Sequence, residues 1–278
     1  MIHQAIYQPG TPAKYVDVAK ASDADLLKLL ASASAVQRLE TQREILKRGK
    51  KPEFADGIIA IARDTEKTVA VRTAAIFTFK QLYGNEGTKF LAELAGDAAV
   101  KEQALRAMAD APAEIAGVPV KSYVDALKDK NPRVVLQALI GLGRLNAKDA
   151  APAILAASRD WREEGDSPRL QHTAMQALVL LGNVSACLDA VNDAATRKLA
   201  LLALERMHKM EVVSGLFSIF TKTSDTDQRF DILTALARLS YKEKEWDCKS
   251  WWSTRPDDRG PYYDPVEWEG TARIRPAI

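Results

Sequence analysis

The stretch NPRVVLQALIGLGRL, residues 131–145, decides the fold. It opens on Asn131-Pro132, a helix-start signal, because proline in a first helical turn lacks only an N–H that would have gone unpaired. Ala138, Leu142 and Leu145 then fall three or four places apart, the spacing of one buried helix face. The same plan recurs in SPRLQHTAMQALVLLG (167–182), TRKLALLALERM (196–207) and QRFDILTALARLS (228–240). Small residues at Ala138, Ala174, Ala177, Ala203 and Ala235 let neighbouring helices approach closely. Leu178, Leu181, Leu236 and Leu239 continue the i, i+3 stripe.

Working outward, seven such helices centre on Ile45, Phe79, Met108, Leu142, Leu178, Leu204 and Leu236, at intervals of 34, 29, 34, 36, 26 and 32 residues. A shorter apolar segment precedes most of them: FLAELAGD (90–97), SYVDALKD (122–129), AAPAILAAS (150–158) and VVSGLFSIF (212–220). Ser167-Pro168 and Asp225 mark further helix starts. The alternation expected of strands is absent. Paired helices repeating about every 32 residues predict an all-α protein, a HEAT-repeat α-solenoid of about seven helix pairs. The expected organisation is an extended segment over 1–21, the solenoid over 22–241 and a tail over 242–278.

Seven residues before each centre stand Arg38, Arg72, Lys101, Val135, Gln171, Arg197 and Arg229. HEAT repeats commonly carry an arginine there and an aspartate in a turn. The arginines are expected to tie one repeat to the next through turn carboxylates or carbonyls. A continuous basic ladder fails at Val135 and Gln171. The longest interval contains SRDWREEGDSPR (158–169), a charged loop in which Trp161 either folds over a helix end or anchors a partner.

The tail is irregular and aromatic-rich. It holds Trp246, Trp251, Trp252 and Trp268, four of the five tryptophans, with Tyr262, Tyr263 and Arg255. Gly260, Pro256, Pro261 and Pro265 prevent a continuous helix through its middle. Aromatics at this density are expected to cover the open end of the last repeat, or to present a recognition surface for a protein domain or a sugar ring.

Composition narrows the function. The 278 residues carry 39 basic and 37 acidic side chains, net +2, with 47% hydrophobic residues. That balance argues against a binder of nucleic acid by bulk charge. A HEAT-like DNA-repair enzyme would need a basic groove, of which Trp161 with Arg159 and Arg162 supplies only a fragment. No apolar run is long enough for a membrane span. MIHQAIYQPGTPAKYVD (1–17) lacks the basic and apolar regions of a signal peptide. Cys187 and Cys248 form no CxxC; Cys187 falls on an apolar helix face and reads as core. His3, His172 and His208 are scattered, none followed by Glu, and His172 is expected beside an apolar face. No GxSxG, HExxH or GxxxxGK[ST] occurs. No catalytic residue, metal site or cofactor is expected, and the chain reads as a non-catalytic scaffold. Its expected partners are a protein or neighbouring domains; the second reading is a carbohydrate-binding module built on the tail aromatics.

The tail WWSTRPDDRGPYYDPVEWEGTARI (251–274) resembles a segment of large planctomycete and verrucomicrobial multidomain proteins. These join a propeller-type membrane-bound dehydrogenase domain, HEAT repeats and a c-type haem domain. RLETQREILKRG (38–49) is similar to the stretch that links their propeller to the repeats, and KEQALRAMAD (101–110) to their next repeat. VRTAAIFTFKQLYG (71–84) is similar too, although the family usually has Ala-Leu-Trp where Ala75, Ile76 and Phe77 stand. The likeness runs from about residue 22 to 274. It implies the middle module of such a protein and an extracytoplasmic location. With neither propeller nor CxxCH in this sequence, the outer domains' redox chemistry attaches to no residue here.

Overall fold

A computed structural model describes residues 16–161, 165, 167–245 and 265–278. Fourteen helices among them form seven successive pairs. The first three pairs are α1 (Asp23–Leu30) with α2 (Ala35–Arg48), α3 (Pro52–Arg63) with α4 (Val69–Tyr83), and α5 (Thr88–Leu94) with α6 (Lys101–Met108). The next four are α7 (Val120–Ala126) with α8 (Pro132–Arg144), α9 (Ala151–Ala157) with α10 (Ser167–Leu181), α11 (Val184–Ala190) with α12 (Ala194–Leu204), and α13 (Met210–Lys222) with α14 (Thr226–Leu239). The chain divides into two compact units, Met1–Met108 and Ala109–Ile278.

Within the first unit, α1 packs on α3, and α2 on α4 and α4 on α6. Within the second, α9, α11 and α13 stack in one row and α8, α10, α12 and α14 in another. First helices lie on first helices and second on second, which is how a helical-repeat array buries its apolar faces.

The starts follow their local chemistry. Ser22, Ser34 and Thr68 cap α1, α2 and α4 by accepting the N–H of Asp25, Gln37 and Val71. Asn131 accepts the N–H of Arg133 with Pro132 in the first turn behind it. Six of the seven centres are wholly buried and Phe79 is 6% exposed. Ala138, Ala174, Ala177, Ala203 and Ala235 are buried with them. Leu145, expected in the buried stripe, is half-buried at the C-cap of α8.

Close approach is most demanding between α7 and α8. A Cβ at Gly141 would stand 2.1 Å from the ring of Tyr123, itself wholly buried. Cys187 is buried in α11, and loss of water around it pushes its thiol up to about 12. It is a core side chain, with no thiolate at neutral pH to react.

After α14 the chain forms a two-residue strand, β1 (Lys242–Glu243), antiparallel to β2 (Pro265–Val266). The alternation rule gave no sign of a ladder this short. A single turn, α15 (Thr271–Ile274), follows.

Candidate docking surfaces

The arginine ladder works as a set of ties. Arg72, 2% exposed on α4, donates from Nε to the Ala62 carbonyl at the end of α3, 2.8 Å away. Its Nη2 reaches Asp97, in the turn before α6, at 2.5 Å. One guanidinium thus joins its own pair to the next. Arg197 on α12 repeats the arrangement, with Nε on the Val191 carbonyl at 3.1 Å and Nη2 on Asp225 at 3.1 Å. Asp225 is the N-cap of α14 and also accepts the N–H groups of Asp227 and Gln228. Arg38 and Arg229 bind loop carbonyls before their own helices, those of Ser32 and Ala33 and of Thr223. Arg229 also lies 4.2 Å over the Phe220 ring.

These ties set the electrostatics. The Arg72 guanidinium, then the Ala99 N–H, hold Asp97 below the usual carboxylate range. The Gln228 N–H and Arg197 do the same for Asp225. Asp23, in the first turn of α1, is lowered by Lys51 and Arg48, from the start of α3 and the end of α2.

At Gln171 the missing arginine has a substitute. Asp193, the N-cap of α12, is ion-paired with Arg159, which reaches it from the turn after α9. Sequence spacing hid this tie, because Arg159 lies twelve places before the ladder position, counting from residue 171 to 159.

At Val135 an open cleft of about 620 Å³ adjoins the position. Leu127, Val135, Ala153, Ala157 and Leu170 line it, with Trp161 as its aromatic wall. Trp161 is half-buried, at the mouth of an apolar slot. Lys128, Lys130 and Asp160 are exposed along the rim. Asp129, between the lysines, accepts the Asn131 N–H at 2.9 Å.

Trp268 seats the C-terminal segment on the last pair. Its Nε1 donates to the Leu239 carbonyl at 2.6 Å, and Thr271 Oγ1 donates to the Ser240 carbonyl at 2.6 Å. Two carbonyls at the end of α14, which the helix itself leaves unpaired, gain donors in this way. His208 meets the Trp268 ring edge-on at 5.3 Å and bonds through Nε2 to the Tyr241 carbonyl at 3.0 Å. Ile274 is wholly buried beneath the segment. Gly270 leaves room for the indole, since a Cβ there would stand 2.3 Å from it.

Trp246, Trp251, Trp252, Arg255, Tyr262 and Tyr263 lie outside the described residues, as do Cys248 and Arg162. Trp161 and Trp268 are not brought together: one lines a cleft between the fourth and fifth pairs, the other closes the seventh. His172 is exposed on α10, a correction to its expected place beside an apolar face: it falls on the outer side of the helix, between buried Leu170 and Ala174. Among the described residues no group of three His, Cys, Asp or Glu is placed to hold a metal ion. No helix among them is long and apolar enough to cross a membrane.

The pairs, their stacking and their ties define a helical-repeat protein of the HEAT-like kind. Neither a family model nor a curated protein matches the sequence. Among solved structures, the chain is similar to YibA of Escherichia coli, at 18% identity over 84% of this chain and 89% of that one, with a TM-score of 0.49. It is similar to an engineered protein at 19% identity, covering 81% and 97%, TM-score 0.36. It is also similar to the complex of CpcE and CpcF of phycocyanin lyase from Nostoc sp., at 15% identity, covering 85% and 100%, TM-score 0.41.

Proposed function

We propose that this protein is a non-catalytic scaffold that holds neighbouring domains or a protein partner in position. One observation carries the reading. The carboxylates Asp23, Asp97 and Asp225 have their proton affinity lowered, and each is held by cations or backbone N–H groups that fasten one helix to another. Catalytic carboxylates with altered proton affinity gather in a cleft; these three are spread along the stack as its fastenings. A stacked array offers extended surface for binding protein and needs no titrating residue to do so.

The sequence resemblance supports a narrower version, in which the repeats space an oxidoreductase domain from its haem-bearing electron acceptor. Determining the reading frame on both sides of the encoding segment tests it. A propeller before and a CxxCH module after are the expected result. Neighbours of unrelated kind, or stop codons on both sides, would overturn the spacer and leave a free-standing scaffold.

A further inference from the structure

In the second and sixth pairs the ladder position is filled by an arginine whose stem and guanidinium occupy the space between two turns. In the fourth pair Val135, 3% exposed, cannot reach across. What remains beside it is the apolar cleft closed on one side by Trp161. Its volume of about 620 Å³ lies inside the roughly 300–1,000 Å³ range of ligand-binding clefts.

The rim chooses the guest. Lys128 and Lys130 come from the turn joining α7 to α8, and both are exposed. Neither ammonium is ion-paired among the described residues. Asp160 stands alone among the lining residues of the α9 side as a negative charge. An apolar floor, an aromatic wall and two exposed lysines on one lip, with Asp129 between them turned to the Asn131 N–H, call for an apolar side chain with an acidic flank.

From this we infer that the fourth-pair cleft is a docking site for an acidic segment of a protein partner. The segment inserts an apolar or aromatic side chain against Val135, Leu170 and Trp161 and lays its carboxylates over Lys128 and Lys130. Asp160 on the opposite lip fixes the orientation, because an acidic flank on that side is repelled. The inference rests on the scaffold reading and names the chemistry of its partner.

The test uses the full chain and fluorescein-labelled peptides, read by fluorescence polarisation. One peptide carries a central Leu-Phe pair with glutamates on one side. A second has lysines for the glutamates, and a third has Ser-Ser for the apolar pair. The first is expected to bind and the other two to bind at least about tenfold more weakly. Lys128→Glu with Lys130→Glu is expected to cost about tenfold through like-charge repulsion. Trp161→Ala is expected to cost a similar factor. Retained far-UV circular dichroism and melting temperature establish that both variants fold. Preference for the lysine peptide, equal binding of the serine peptide, or binding indifferent to both variants overturns the proposal. So does failure of the first peptide to bind. These outcomes are independent of the reading frame: a propeller and a CxxCH module with no peptide binding refute the cleft alone, and binding without them refutes the spacer alone.

Discussion

Arg72 illustrates how much one side chain carries. Its guanidinium is almost wholly buried, and it bonds a carbonyl on one side and a carboxylate on the other. Arg72→Ala removes the donor to the Ala62 carbonyl and the cation beside Asp97, which keeps only the Ala99 N–H, and is expected to cost about 2–3 kcal/mol, read as a lower urea midpoint. Arg229→Ala, which loses one bond of 3.4 Å and a stacked ring, is expected to cost about 1 kcal/mol or less. Equal losses at the two positions would show that the tie between pairs contributes nothing. Gly141 is the opposite case, where nothing can be added. Gly141→Ala improves helix propensity by about 1 kcal/mol but drives a methyl into the Tyr123 ring. Overpacking costs about 1–3 kcal/mol, so a lower melting temperature is expected, where an uncrowded helix would show a higher one.

At the scale of the element, the fastenings make stability depend on pH. Asp97, Asp225 and Asp23 are all lowered in the folded protein, so each binds a proton less readily there than in the unfolded chain. Their contribution is fully present above the unfolded carboxylate value of about 3.9 and is lost as pH falls through the lower folded values. The urea midpoint is expected to hold from pH 7 to about 5 and to drop below about 4. Asp97→Asn is expected to start lower at pH 7 and to fall less on acidification; a parallel curve would mean that Asp97 does not take part. The closing segment is a second such element. Trp268→Phe keeps an aromatic ring but loses the donor to the Leu239 carbonyl. It is expected to lower stability by about 1 kcal/mol, with increased amide exchange confined to the end of α14 and the residues after it. Exchange spread over the whole second unit would contradict a local role.

Across the whole molecule, the repeat was legible because periodicity and small-residue spacing are local properties. Ala138 and Leu142 declare a buried helix face wherever that helix packs. The ladder was legible only in part. Arg72 and Arg197 sit at the repeated spacing, whereas Arg159 serves Asp193 from a turn outside it. Nor does sequence show that the gap at Val135 opens a cleft, since that depends on how far apart two turns stand. Trp161 stood out as an unusual residue in a charged loop, but the other walls of its cleft come from α7, α8, α9 and α10, and only the fold assembles them. The boundary between the two compact units, after Met108, left no mark in the repeat pattern.

The account centres on one position that ties helix pairs at Arg72 and Arg197 and opens a docking cleft at Val135. Val135→Arg tests it most directly, with urea unfolding and binding of the glutamate-flanked Leu-Phe peptide measured on the same sample. The expected result is a folded protein whose midpoint is unchanged or higher and whose peptide binding is lost, the new side chain filling the slot as Arg72 and Arg197 fill theirs. A folded variant that still binds the peptide as the wild type does would contradict it.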